Sequence, residues 1–542
     1  MPKSCNQELA SLVQQLKKTK RSMVIGKRGV VATSQPLAAL AGLDILKNGG
    51  NAVDAAVATA AVLNVVEPMS TGIGGDAFVM IYLAKEKKLL ALNASGRVPY
   101  NLNRDIILEK GYKTMPGSGM LTVTVPGAFD GWCEILEKYG TLSLEKVLEP
   151  AIYYAENGFP VTEIIQRSWK EYEKKLSGHP DIKKTYLING RVPEVGEIFI
   201  QKNFARTLKA LAEGGREAFY RGEIAKKIVK FSDENGGYFM EKDFADHTST
   251  WVEPIAVDYK GYTLYECPPN GQGIAALEML NILENVNLKS FGHNSTKYLH
   301  YLIEAKKLAY ADLRKWVGDP EFNDLPVNEM TSKSYAKKQF ERIDLNKAKQ
   351  RVGSGILDNS DTIYLTVMDK DNNAVSFINS IYDGFGSGLV AGETGICLQS
   401  RGALFSLQEG HVNMLEPHKR PFHTIIPAMV FKDGGFFMTY GIMGGSMQPQ
   451  GHVQVLLNIV EFGMNIQEAI EASRFRHYSG LRVMLEPEIS AEIRNRLEAL
   501  GHQIIQHRQD AHGGGQGIIL NQKNGAKMGG SDPRKDGMAA GW

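Results

Sequence analysis

Read for the spacing of its apolar residues, the chain begins to organise near residue 36. From Pro36 to Lys47 apolar residues recur with a helical period, and Gly49-Gly50 ends the run. Asn51 stands where a helix N-cap is needed, ahead of an almost wholly apolar stretch from Ala52 to Val66. That stretch contains Asp54 and Asn64 and falls short of the roughly 18–20 residues of a membrane span, so it predicts a buried core helix. A glycine-rich segment, Ser70-Thr71-Gly72-Ile73-Gly74-Gly75-Asp76, precedes strand-like runs over 77–82 and 89–92. Residues 1–30 read as a polar leader with one short helix. Between about 125 and 350 helical patterns dominate. They are broken by a strand pair near 254–265 and by Pro268-Pro269-Asn270-Gly271-Gln272-Gly273, which leads into a helix over 275–284.

Beyond residue 362 the apolar period changes to two. Ile363, Leu365 and Val367 fall on one face of a strand, and Thr362, Tyr364 and Thr366 on the other. The run Asp369-Lys370-Asp371-Asn372-Asn373 predicts a turn into a second strand over 374–382, because Asn and Asp tolerate left-handed dihedrals. Folded about Asp371-Asn372, this hairpin brings Ser380 within about one pair of the position opposite Thr362. A second hairpin, 424–431 with 436–440, turns at Asp433-Gly434-Gly435. It runs through Met443-Gly444-Gly445-Ser446 into an amphipathic helix from about 450 to 462. Helices on both sides of sheet-forming strands predict layered α and β, with two central sheets covered by helices.

Composition narrows the function by exclusion. With 542 residues, 43% hydrophobic and 23% charged, the chain can bury a sizeable core. A net charge of +2 gives no electrostatic case for a nucleic acid or an anionic membrane. The run Lys17-Lys18-Thr19-Lys20-Arg21 reads as a solvated segment. Cys5, Cys133, Cys267 and Cys397 are scattered with no C-x-x-C pair, so neither a disulfide framework nor a zinc site is expected. The first residues lack the unbroken apolar core of a secretory signal, and a cytoplasmic protein is the expectation. Without such a signal the glycosylation pattern Asn294-Ser295-Thr296 carries no weight. There is no Walker loop, no H-E-x-x-H, no Rossmann fingerprint in context and no G-x-S-x-G elbow, so His512-Gly513-Gly514-Gly515 is not read as an esterase motif. Neither a metal nor an organic cofactor is expected.

Three places could carry chemistry. A cut between Asp361 and Thr362 would give the threonine a free α-amino group beside its own hydroxyl, joining nucleophile and general base in one residue. Gly444-Gly445 lies between a strand and a helix, where two outward N–H groups can form an oxyanion hole. Arg97, in the Gly/Pro-bounded loop Asn93-Ala94-Ser95-Gly96-Arg97-Val98-Pro99, can grip a carboxylate with both arms of its guanidinium.

Several segments together resemble the γ-glutamyltransferase (glutathione hydrolase) family of N-terminal-nucleophile hydrolases. They are Gln35-Pro36-Leu37-Ala38, the stretch from Gly42 to Ala56, Glu67-Pro68 with Gly72-Ile73-Gly74-Gly75, and Val125-Pro126-Gly127. Further on come Asp361-Thr362, Phe385-Gly386-Ser387-Gly388, Lys419-Arg420-Pro421, Gly444-Gly445-Ser446 and Ser531-Asp532-Pro533-Arg534. The similarity runs from about residue 28 to the end. It implies an α+β fold, a four-layer αββα sandwich, made by autocleavage into intertwined chains 1–361 and 362–542 that pair as a heterodimer. It further implies that Thr362 cuts the chain after Asp361 and then carries the acyl group. Ser380 would support that nucleophile, Gly444 and Gly445 would be the oxyanion glycines, and Arg97 would meet the substrate carboxylate. The implied substrates are γ-glutamyl or related acyl amides, with water or an amine as acceptor.

The chain departs from the family pattern in three ways. Where it holds the glutamate α-amino and α-carboxylate groups, this chain offers Tyr382, Arg401 and Leu404. Paired serines become His423-Thr424, and the segment between Phe405 and Lys419 is shorter than the family's lid-bearing version. Leucine cannot bind ammonium, whereas Arg97 and Arg401 suit an acyl group ending in a carboxylate. The resemblance is therefore to the acylase-like branch. The leading expectation is a self-processing γ-glutamyl amidohydrolase, and the alternatives are a glutaryl- or cephalosporin-type acylase or an unprocessed carboxylate-binding homologue.

Overall fold

The protein is described here from a computed structural model covering residues 21–350 and 362–542. The expected leader helix, Cys5, most of the early basic run and Asp361 lie outside the described residues.

The apolar pattern resolves into helices and strands close to their expected bounds. Helix Pro36–Lys47 is followed by Ala52–Val66, every residue of which is buried. Asn51 caps the second helix through a reciprocal bond with Asp54. The Asp54 carboxylate also accepts from the Thr141 amide (2.9 Å), the Thr141 hydroxyl (2.5 Å) and the Leu142 amide (3.1 Å), so one acid ties this helix to the loop between helices Ala128–Tyr139 and Leu144–Asn157.

Two seven-stranded sheets form the centre. One runs in the order Met538–Gly541, Val30–Thr33, Ile363–Met368, Ala374–Ser380, Asp76–Leu83, Lys88–Ala94 and Thr250–Val252. The other runs Val24–Gly26, Lys527–Ser531, Gly515–Leu520, Gly435–Ile442, Ala428–Lys432, Tyr262–Glu266 and Ile255–Tyr259. Both expected hairpins are present and antiparallel, the second with a bulge after Val430. Segments from before residue 350 and after residue 362 alternate in both sheets.

The alternation in Ile363–Met368 decides the layering. Ile363, Leu365 and Val367 pack in one apolar cluster with helices Pro36–Lys47 and Ala52–Val66. Tyr364 and Met368 face the other way and join Met429, Phe436 and Ile518 between the sheets. The outer side of the second sheet, including Val430, Met438 and Tyr440, packs on helices Gly273–Leu283, Thr296–Trp316 and Gln448–Val460. The result is the expected four-layer αββα sandwich, an α+β fold. The sheets approach so closely that a Cβ at Gly441 would lie 2.4 Å from the Tyr364 ring.

One expectation is corrected. The helix after the second hairpin spans Gln448–Val460 and is buried on both faces from Gln448 to Ile459, not amphipathic toward solvent. Its polar face replaces a missing strand neighbour. Gln450 bonds the His477 amide and carbonyl, Gln454 those of Phe475, and Asn458 the Ala469 carbonyl. Among the described residues Cys133, Cys267 and Cys397 are buried and free. No described helix is long and apolar enough to cross a membrane.

Asp54→Ala strands three N–H donors and a hydroxyl and deletes a cap. It should lower unfolding free energy by about 2–4 kcal/mol, read as an earlier denaturant midpoint. An unchanged midpoint would refute the tie.

Candidate active site

Thr362 is the residue at the head of central strand Ile363–Met368, and it is fully buried. Because Ile363 pairs with Asn379, the next pair outward is Thr362 with Ser380, and their hydroxyl oxygens lie 3.1 Å apart. The Ser380 oxygen accepts from the Tyr382 amide (2.9 Å) and from Arg401 Nη2 (3.0 Å), which fixes it in place. Close packing beneath allows no side chain: a Cβ at Gly75 would sit 2.2 Å from the Ser380 carbonyl oxygen.

Arg401 opens a short turn, Arg401–Leu404, and is completely buried. Its Nη1 donates to Thr424 Oγ1 (2.7 Å), and its guanidinium lies 4.7 Å from the centre of the Tyr382 ring. Beside it is a second buried pair. His423 Nε2 and Asp76 Oδ2 are 3.0 Å apart, and Asp76 Oδ1 accepts from the Gly96 amide (2.9 Å) and Gln399 Nε2 (3.0 Å). Burial pushes the Asp76 carboxyl up, but the His423 hydrogen bond and the Arg401 charge outweigh it and hold the group below the ordinary range. Burial, then the Arg401 charge, push the His423 imidazole down to about 4 against the pull of Asp76. The pair therefore stands as a neutral imidazole donating to an ionised carboxylate.

Gly444 and Gly445 form the turn from strand Gly435–Ile442 into the one-turn helix Gly445–Met447, with φ of 115° and 56°. Gly513 backs this turn: its Cα would be 3.1 Å from a Cβ on Gly444, and the Met443 amide donates to the Gly514 carbonyl (2.9 Å). Gln272, just before helix Gly273–Leu283, donates from Nε2 to the Thr424 carbonyl (2.5 Å) and the Gly445 carbonyl (2.8 Å). One polar path thus runs Thr362, Ser380, Arg401, Thr424, Gln272, Gly445.

The fold brings Thr362, Ser380, Tyr382, Arg401, Thr424, Gly444 and Gly445 into that path, with His423 on Asp76 beside it. Arg97 is placed differently. Its Nη2 donates to both carboxylate oxygens of Glu321, at 2.8 and 3.0 Å, and Arg420 Nη1 shares the same acid at 3.1 Å. The arginine that could hold a ligand carboxylate holds one from the chain itself. The shortened 405–419 segment packs Phe405, Leu407 and Leu415 against Val98, Leu102 and Ile107. Asp76, Gln272, Gln399 and Glu321 carried no sequence expectation. The only signals were positional: Asp76 ends the glycine-rich segment, and Gln272 lies in the Pro/Gly turn before a helix. Among the described residues His300, Glu304 and His502 bring possible metal ligands within 4.8 Å of one another. Glu304 is already paired with Lys307 at 2.6 Å and His300 with His502 at 2.8 Å.

Comparison with known proteins places these residues in context. The family model described as Gamma-glutamyltranspeptidase matches residues 38–542. A glutathione hydrolase-like YwrD proenzyme of Bacillus subtilis (strain 168) is 41% identical over 530 residues, covering 96% of this chain and 99% of that protein. The glutathione hydrolase proenzyme of Escherichia coli (strain K12) is 35% identical over 543 residues, covering 96% and 93%. The crystal structure of cephalosporin acylase from Bacillus halodurans superimposes with a TM-score of 0.92 at 43% identity, covering 97% of each chain.

Gln272→Leu leaves two buried carbonyls without their shared donor. Urea unfolding should show a loss of about 1–3 kcal/mol at an unchanged m-value. Wild-type stability in that variant would show that Gln272 does not strap the turn.

Proposed function

The chain belongs to the gamma-glutamyltranspeptidase family, and on that premise we propose that it is a self-processing amidohydrolase working through Thr362. The observation that carries this reading is the 3.1 Å contact between the Thr362 hydroxyl and a Ser380 oxygen pinned by two N–H donors. In the first reaction the Thr362 oxygen attacks the Asp361 carbonyl carbon, and the peptide C–N bond breaks to leave an ester. Water hydrolyses that ester, giving chains 1–361 and 362–542 and a free Thr362 amine. The two products stay together as a heterodimer, because both feed strands into both sheets.

In turnover the new amine accepts the hydroxyl proton as the oxygen attacks a substrate amide. The amides of Gly444 and Gly445 stabilise the oxyanion, and Ser380 orients the nucleophile. The proton passes to the departing amine, and water or another amine then releases the acyl group from Thr362. The substrate is a γ-glutamyl or related acyl amide.

A second reading of the acyl group has an observation behind it. Arg401 is buried against Ser380 and Thr424, so the wall beside the nucleophile is cationic. A cation there favours an acyl group ending in a carboxylate and repels an α-ammonium. His423, Thr424 and Tyr382 would shape this pocket, while Arg97 stays paired with Glu321. Glutaryl- and γ-glutamyl-anilides compared on one preparation separate the readings. Turnover of glutaryl but not γ-glutamyl substrate assigns a dicarboxylic-acyl acylase; the reverse assigns a glutathione hydrolase type.

Thr362→Ala should remain a single full-length chain without activity, whereas wild type should yield a fragment beginning Thr-Ile-Tyr-Leu by intact mass. Identical fragments from both would remove Thr362 as nucleophile. An α-amine titrates near 7.7–8.0, and the like charge of Arg401 would lower that value. Neutral His423 and ionised Asp76 titrate well below this region. The acid limb of kcat/KM therefore reports the amine, inactive when protonated below its pKa. In processed Arg401→Met that limb should move up by about one pH unit; a limb that stays put would show that the Arg401 charge does not act on the titrating group.

A further inference from the structure

Two bulky residues just past the Ser380 strand hold a left-handed backbone. Tyr382 has φ of 78° and Phe385 of 55°, a region that large side chains seldom enter. Such a conformation persists only where the surroundings impose it. Tyr382 is also tied to the nucleophile. Its amide donates to Ser380 Oγ (2.9 Å), which lies 3.1 Å from the Thr362 hydroxyl oxygen, and its ring centre is 4.7 Å from the Arg401 guanidinium.

The restraint comes from outside the sheets. Lys175, in helix Glu173–Leu176, donates from Nζ to Asp383 Oδ2 (2.6 Å), the Gly384 carbonyl (2.9 Å) and the Gly386 carbonyl (2.7 Å). An ammonium has three hydrogens, and three acceptors on one loop match them. The first acceptor belongs to the residue that directly follows Tyr382. An aromatic cup fixes the far side of the loop. The buried Phe385 ring lies 4.9 Å from Tyr186, 5.6 Å from Trp169 and 6.1 Å from Tyr172. A Cβ on Gly384 would sit 2.1 Å from the Tyr172 ring. The cup holds Phe385, whereas Lys175 reaches back to Asp383 and so to Tyr382. Residues 163–186 supply no strand to either central sheet, so the hairpin register alone does not dictate this grip.

We propose that Lys175 is a positioning residue for acyl transfer: it holds Tyr382 in its left-handed state and thereby keeps an N–H donor on Ser380. The assignment rests on the acyl-transfer reading above and adds a residue that touches neither substrate nor the reacting atoms. Without the ammonium, Asp383, Gly384 and Gly386 lose their common donor. Tyr382 then relaxes toward negative φ, its amide turns from Ser380, and its ring leaves Arg401. Ser380 is no longer pinned from both sides, and the Thr362 hydroxyl loses a fixed partner. The Asp383 side chain is 30% exposed, so Lys175→Met strands no fully buried acid.

Kinetics of processed enzyme on one acyl anilide tests this. Lys175→Met should lower kcat about ten- to hundredfold and change KM by less than about twofold. The decisive comparison adds Tyr382→Asn, because asparagine enters the left-handed region at little cost and needs less holding. In that background Lys175→Met should cost less than about threefold in kcat. A merely structural lysine would cost the same factor in both backgrounds. That result, an unchanged kcat in Lys175→Met, or a loss that falls on KM alone overturns the proposal. Where Tyr382→Asn or every chain is inactive, hydrogen exchange makes the same comparison without turnover. The Tyr382 amide should exchange at least about tenfold faster in Lys175→Met than in wild type, with strand Ile363–Met368 unchanged, and regain protection in the double variant. Equal protection in wild type and Lys175→Met, or no recovery in the double variant, overturns the proposal. Protection that depends on Lys175 in a protein that turns over no anilide leaves Lys175 as the holder of Tyr382 and sinks the acyl-transfer reading.

Discussion

The register of one buried hairpin governs the molecule. Asp369 sets it: its carboxylate accepts from the Asp371 and Asn373 amides (both 2.9 Å), from Asn373 Nδ2 (3.0 Å) and from the Ala52 amide that opens a core helix (3.1 Å). With the turn fixed, Thr366 opposes Ser376 and Thr362 opposes Ser380. A slip of one residue would send Ile363, Leu365 and Val367 into the gap between the sheets and turn Thr362 away from Ser380. Helix packing on one face and sheet packing on the other both forbid it, so the core itself positions the hydroxyl.

A line of buried polar groups then carries that position outward. Each member bonds the next, which helps to make burying Arg401 and Asp76 tolerable in a low-dielectric layer. Arg401 is held by hydroxyls and a ring face, and Asp76 by backbone amides, Gln399 and a neutral imidazole. The charges are fixed without being quenched by a direct ion pair with each other. That leaves a local field at Thr362 made of one cation and one anion, with the cation bonded to the serine that touches the threonine.

The hairpins, the capped helices and the Gly444-Gly445 turn were legible because local rules decide them: alternation of two, turn-forming Asp and Asn, and a helix cap at Asn51. The C-terminal strands Gly515–Leu520, Lys527–Ser531 and Met538–Gly541 were not, since glycine-rich segments such as Lys527–Ser531 carry no alternation and pair only because neighbouring strands offer an edge. The helix over about 450–462 read as amphipathic, yet its Gln450, Gln454 and Asn458 bond buried backbone. Arg97 was legible as a cation in a constrained loop, but its partner Glu321 lies more than two hundred residues away. No spacing rule links the two, nor Gln272 to Thr424 and Gly445.

The alternation of early and late strands within each sheet has a temporal consequence. If Thr362 cuts the chain as proposed, the oxyanion turn and the buried surroundings of the threonine would be complete only after segments from both ends of the chain have met. On that proposal a nascent or misassembled polypeptide would lack the means to sever itself. Scission would thus serve as a covalent record that assembly succeeded, and the uncut fraction in a cell would count the chains that never finished folding.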